Sequence, residues 1–237
     1  MNRPLVIAHR GASQEAPENT LAAFRLAWRQ GADAVETDLR LTADASIVAF
    51  HDADGRRMLR DPRRIRDIPL AMLQSLDIRG QRVPTLDEVL ATAPPSGQLV
   101  LELKENLAEE LAAALRSAPH ERIVLIAFDA ETIAEAKRRL PRCRALWLFS
   151  DYASAPARRR GKFLAERVRE LGVDGVDLRH APSLNAELLA PLRDAGRLVF
   201  TYTVNHAISA RRCLRLGLDG ITTDRPGDMR RWLGISA

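Results

Sequence analysis

AVETDLRLTADASIVAFHD, residues 34–52, decides how this chain is read. Glu36 and Asp38 stand two residues apart among strand-forming neighbours, so on an extended backbone both carboxylates leave the same face. Past the turn at Asp44, a second apolar run from Ile47 to Phe50 delivers His51. At the rim of a parallel sheet, the two acids and the imidazole fall within about one barrel radius of each other. Acids held that close repel, and a divalent cation between them is the simplest remedy.

Outward from this stretch, short apolar runs alternate with helical patterns in both directions. Strands are expected at 5–8, 34–41, 98–103, 123–127, 144–149, 175–178, 198–203 and 220–223. Helices are expected at 21–30, 86–93, 108–116, 130–140, 162–170, 185–195 and 207–215, with one more after Pro226. Asn19 and Thr20 are candidate caps for the first, and Thr85 with Glu88 spells a capping box. Eight such units in 237 residues predict a closed (β/α)₈ TIM barrel, typically about 250 residues long. No glycine-rich nucleotide fingerprint follows any strand, which argues against an open doubly wound sheet. The segment after the second strand, rich in arginine and carrying Pro62, Pro69 and Gly80, breaks the alternation. It reads as a short excursion, a cap-like segment at about 53–83 on a single domain spanning 1–237.

Bulk properties remove several function classes. The formal charge is +5, and of 36 basic residues only positions 104, 137 and 162 are lysine. The arginines lie beside acids such as Glu131, Glu135, Glu166 and Glu170, the pattern of a solvated outer face with a mild pull on anionic substrates. Aromatic content of 5% without interleaving among the basic residues disfavours nucleic acid. Cys143 and Cys213 lack metal or redox spacing and read as buried thiols in a reducing compartment. The first strand begins at Leu5 and leads straight to His9, leaving no room for a cleavable signal, and no apolar run approaches the roughly 18 residues of a membrane span. A cytoplasmic protein without stable membrane insertion is expected.

In barrels of this kind the chemistry sits at the carboxyl ends of the strands. His9 and Arg10 end the first strand, Glu36 and Asp38 lie on the second, His51 follows it, and Glu102 and Lys104 end the third. Glu36, Asp38 and Glu102 make an all-oxygen ligand set suited to Mg²⁺ or Ca²⁺, with Mn²⁺ in the same class. Two imidazoles beside it, with Arg10 and Lys104 as fixed cations, suit phosphoryl chemistry. The plain alternatives are a Glu36/Asp38 surface pair with Arg40, a Lys104 that only neutralises Glu102, and an Arg10 salt-bridged to Glu18. Glu18 and Asn19 read as loop organiser and helix cap, Asp224 as a turn-and-cap residue outside the site, and the arginines at 56, 57, 60, 63, 64 and 66 as a solvated cap.

HRGASQEAPENT (9–20), VETDLRLT (35–42), FHD (50–52), VPTLDEVL (83–90), LELK (101–104) and LDGITTDRP (218–226) together resemble the glycerophosphodiester phosphodiesterase family, in order and over nearly the whole chain. The resemblance implies a (β/α)₈ barrel that hydrolyses glycerophosphodiesters to glycerol 3-phosphate and an alcohol with a divalent cation. It implies acid/base roles for His9 and His51, metal ligation by Glu36, Asp38 and Glu102, and phosphate contacts from Arg10 and Lys104. Tyr202 stands where the family often carries tryptophan, which implies a stacking contact with the glycerol group. The segment after Asp52 is shorter than the family's usual cap. That leaves two rivals: a phosphodiesterase acting on lysophospholipids, and a catalytically silent barrel that binds phosphorylated ligands.

Overall fold

Nine strands organise the computed structural model, which describes residues 3–150 and 156–235. They are β1 (Leu5–Ala8), β2 (Ala34–Leu41), β3 (Ile47–Ala49), β4 (Gln98–Leu103), β5 (Ile123–Ala127), β6 (Arg144–Phe149), β7 (Gly175–Arg179), β8 (Leu198–Tyr202) and β9 (Gly220–Thr223). The order β1-β9-β8-β7-β6-β5-β4-β2 is parallel throughout, and pairing of Ile7 with Ala34 closes it. The chain is therefore an eight-stranded parallel barrel, as the alternation predicts. The extra strand β3 folds back antiparallel on β2, with Leu39 opposite Ala49, and opens the excursion.

Strands buried on both faces read as near-continuous apolar runs, and the two faces have different duties. Inward residues Ile7, Val100, Val124, Ile126, Leu146, Leu148 and Phe200 pack together inside the barrel. Outward residues such as Val6, Val35, Leu101 and Leu125 pack with helix residues including Phe24, Leu111, Ile133 and Leu188. Because side chains alternate with period two, the inward parity continues upward past the apolar plug. Above Val100 come Glu102 and Lys104, above Ile7 comes His9, and above Phe200 comes Tyr202. The polar site is thus the top layer of the same ladder that fills the core.

The helix Leu21–Arg29 is capped by the Thr20 hydroxyl, which accepts from the Ala23 amide, and the helix Leu86–Leu90 shows the full Thr85–Glu88 capping box. Asn19 is not the cap; its side chain is spent elsewhere. The excursion wraps Val48, Phe50, Ile65, Leu73, Ile78 and Val83 into a small apolar cluster of its own, which holds it on the barrel rim.

One helix runs longer than its sequence suggests. The segment expected at 162–170 is the end of Ala157–Leu171, which begins five residues earlier and passes through Gly161. The glycine marks a close approach: a Cβ there would lie 2.2 Å from the Leu188 carbonyl oxygen and 3.0 Å from the Pro191 ring, both in the helix Ala186–Asp194. Gly161→Ala must push these helices apart, and we expect it to lower the unfolding free energy by about 1–3 kcal/mol, read as a shift of the urea midpoint.

Candidate active site

The HRG turn after β1 sets the first contacts. Arg10 and Gly11 are both left-handed, at φ 56° and 83°, and a side chain on Gly11 would strike the Ala23 backbone at 2.6 Å. This tight turn aims the Arg10 backbone amide at Glu36 Oε2, 2.8 Å away. The Arg10 guanidinium then reaches Asp38 Oδ2 at 3.1 Å and Glu18 Oε1 at 2.9 Å. The salt bridge to Glu18 and a place in the site therefore hold together.

Glu36, Asp38 and Glu102 offer oxygens that lie within 4.8 Å of one another, and all three residues are buried. Lys104 closes the group, its Nζ 2.6 Å from Glu102 Oε1 and 3.5 Å from Asp38 Oδ1. Asn19 donates to Asp38 Oδ2 at 2.7 Å, and its carbonyl accepts from the Thr37 hydroxyl at 2.8 Å. Glu36 Oε1 and Asp38 Oδ1 have no hydrogen-bond donor among the described residues. Arg40 does not pair with these acids; its Nε donates to the His51 carbonyl at 2.9 Å.

Charge is visibly uneven across the trio. Burial and the neighbouring Asp38 push Glu36 up to about 8, with His9 and Arg10 opposing. Burial and Asp38 raise Glu102 as well, against Lys104. For Asp38 burial is outweighed by Arg10, Lys104 and His51, and its carboxyl is held below the ordinary range. Buried oxygens that repel one another and lack donors fit a hard divalent cation. The donor set excludes the nitrogen- and sulfur-rich sites zinc prefers.

The two histidines flank this trio, each tied through Nδ1 to a carboxylate. His9 Nδ1 lies 2.6 Å from Asp224 Oδ1, and His51 Nδ1 lies 2.7 Å from Asp52 Oδ1. Each ring is oriented by its carboxylate and, among the described residues, keeps Nε2 clear of partners. Burial disfavours the His9 imidazolium, but Asp224 and Glu36 prevail and raise its pKa. At His51 burial wins, helped by Arg10 and Lys104 against Asp38 and Asp52, and the pKa falls. Asp52 is itself anchored by Arg57, which also grips Glu18 at 2.7 Å and so clamps the excursion to the HRG loop. Burial would raise Asp52, yet the bonds from Arg57 and His51 hold it down at about 2.

His9, Arg10, Glu36, His51, Glu102, Lys104 and Tyr202 line one cavity of about 240 Å³ at the carboxyl end of the barrel. Asp38 does not line it but is fully buried against Arg10 and Lys104. All eight residues singled out from the sequence thus converge on one place. Tyr202 sets its ring edge-on to Phe128, 6.0 Å between centroids.

The chain belongs to the glycerophosphoryl diester phosphodiesterase family, whose model matches residues 9–228. It is 29% identical over 240 residues to a glycerophosphodiester phosphodiesterase of Caldanaerobacter subterraneus, covering 94% of this chain and 95% of that one. Among solved structures, an Oleispira antarctica phosphodiesterase in complex with the product sn-glycerol-3-phosphate superposes with a TM-score of 0.86 at 30% identity, covering 98% and 97% of the two chains. A glycerophosphodiester phosphodiesterase from Thermotoga maritima gives 0.80 at 25% identity, covering 98% and 99%.

Sequence reading missed part of this phosphodiesterase-family site. Asp224 is no cap: the helix Pro226–Leu233 starts from Arg225, and the Asp224 carboxylate takes bonds from His9, Ser13 and Asn205. Its signal was parity, because Asp224 lies two residues beyond the inward Thr222. Asp177 on β7 also faces the cavity, its carboxyl raised well above the ordinary range by burial, Glu36 and Glu102. Asp224→Asn removes the charge that favours the His9 imidazolium, so in chelator-treated protein the His9 ring resonances should titrate at lower pH than in wild type while those of His51 stay put.

Proposed function

We propose that this protein hydrolyses glycerophosphodiesters to glycerol 3-phosphate and an alcohol at the top of its barrel, with one divalent cation held by Glu36, Asp38 and Glu102. The observation that carries the reading is the pair of carboxylate-oriented imidazoles on either side of a buried acid trio. A cation there would supply positive charge to a phosphate as negative charge builds in the transition state. Arg10 and Lys104 already balance part of the trio and add fixed positive charge at the cavity wall. One imidazole takes the proton from the attacking oxygen through Nε2, and the other gives one to the departing alkoxide. Asp224 and Asp52 keep each ring in the tautomer and orientation that the transfer needs. In this reading Tyr202, which lines the same cavity from β8, packs against the glycerol group.

The phosphodiesters named for the relatives support this substrate class, as does the product held by the Oleispira antarctica structure. A cavity of about 240 Å³ matches a short polyol phosphate better than a lysophospholipid. A silent binding barrel has no use for two separately oriented imidazoles.

His9→Ala and His51→Ala are each expected to cut kcat on glycerophosphocholine by at least about 100-fold while circular dichroism stays that of wild type. Retention of more than about a tenth of the rate in both variants sinks the acid/base assignment. Excess EDTA should silence the protein and Mg²⁺, Ca²⁺ or Mn²⁺ restore it, scored by release of glycerol 3-phosphate; an unchanged rate removes the cation. Faster turnover of lysophosphatidylcholine than of glycerophosphocholine would instead favour the lysophospholipid reading.

A further inference from the structure

Two polar side chains that the proposed chemistry leaves idle face the same cavity. Asp177 on β7 is 1% exposed, and its Oδ1 has no hydrogen-bond partner among the described residues. Thr222 on β9 is 2% exposed, and its Oγ1 is likewise unpartnered. Buried polar atoms are almost always satisfied in folded proteins, so two orphans lining one cavity point to something that enters it.

Their position says which part of a substrate they meet. In the closed strand order, β7 stands four strands from β2 in either direction, so Asp177 looks across the barrel at Glu36. Thr222 is on the near side of β8, and Phe200 and Tyr202 of β8 lie between the two. Ile126 and Leu148 complete this wall with carbon surface. A phosphate seated by Arg10, Lys104 and a cation that the acid trio would hold sends the carbon chain it carries toward that wall. A second phosphate has no partner there, because among the described residues no cation on β7, β8 or β9 lines this wall. A hydroxyl fits, because it donates to Asp177 and exchanges a bond with Thr222.

We infer that Asp177 and Thr222 form a hydroxyl-recognition subsite for the terminal hydroxyl of the glycerol group, the one remote from the phosphoester carbon; this rests on the phosphodiesterase reading above. The subsite sets specificity by leaving two buried polar groups unpaired whenever the hydroxyl is missing.

Two substrates isolate that group: 2,3-dihydroxypropyl 4-nitrophenyl phosphate and 2-hydroxypropyl 4-nitrophenyl phosphate. They share a leaving group and the hydroxyl next to the phosphoester, and differ only in the terminal hydroxyl. With saturating Mg²⁺ or Mn²⁺, wild type should favour the first by roughly tenfold or more in kcat/KM. Asp177→Leu and Thr222→Val should each draw that ratio toward unity, chiefly through KM on the dihydroxypropyl ester. Asp177→Asn, which still hydrogen-bonds, should keep most of it. A wild-type ratio near unity overturns the inference, as do variants that depress both esters equally. Loss of the ratio in Asp177→Asn as complete as in Asp177→Leu also overturns it, since charge rather than hydroxyl recognition would then be at work. Where thermal melting shows Asp177→Leu unfolded, Thr222→Val and Asp177→Asn decide. Hydrolysis of neither ester by wild type defeats the phosphodiesterase reading and the subsite with it, whereas hydrolysis of both at equal efficiency defeats the subsite alone.

Discussion

Three carboxylates buried within 4.8 Å of one another are the constraint on which the rest of this structure turns. Isolated charges in such a place are prohibitive, and the chain answers with fixed partners drawn from different segments. Arg10 and the Arg10 amide come from the loop after β1, Lys104 from the end of β4, and Asn19 from the loop before the first helix. These partners favour the Asp38 charge and leave Glu36 and Glu102 under strain from burial and mutual repulsion. An incompletely neutralised, donor-poor oxygen cluster is the kind of site that a hard divalent cation could occupy.

Fold and site are one ladder read at two heights. The period-two alternation that packs Ile7, Val100 and Phe200 into the barrel lifts His9, Glu102 and Tyr202 into the cavity above. Inward residues from neighbouring strands share a layer in such barrels, so residues far apart in the chain meet without any loop having to carry them. The β2–β3 hairpin extends the same logic: the Phe50 amide donates to the Asp38 carbonyl at 2.9 Å, which fixes the backbone leading into His51 beside the acid trio.

Most of this was legible because it is local. Strand starts, the Thr85 capping box, the two-residue spacing of Glu36 with Asp38 and of Glu102 with Lys104, and the excursion after the second strand are all properties of short windows. What escaped depends on pairing across the chain. Asn19 looks like a helix cap until its neighbour Thr20 takes that duty and leaves its amide for Asp38. Asp224 looks like a turn residue because nothing in its own segment reveals that β9 lies against β1, where His9 waits. The first turn of the helix through Gly161 escaped because the helix this glycine touches lies 27 residues on, at Leu188. Asp177 sits between the apolar Val176 and Leu178, and only closure of the barrel turns its side chain toward Glu36.

The two histidine–carboxylate pairs therefore differ in how they depend on the fold. His51 and Asp52 are neighbours, and their geometry is held by Arg57 reaching across from the excursion to Glu18. His9 and Asp224 are separated by 215 positions and meet only because β1 is hydrogen-bonded between β2 and β9. The His9 amide itself donates to the Thr223 carbonyl at 2.8 Å, so the bond that joins β1 to β9 and the bond that orients the ring lie on adjacent residues. Any opening of the β1–β9 seam must dismantle that dyad before it disturbs the apolar plug below. Local loosening at the seam consequently reaches the proposed proton transfer sooner than it reaches global stability.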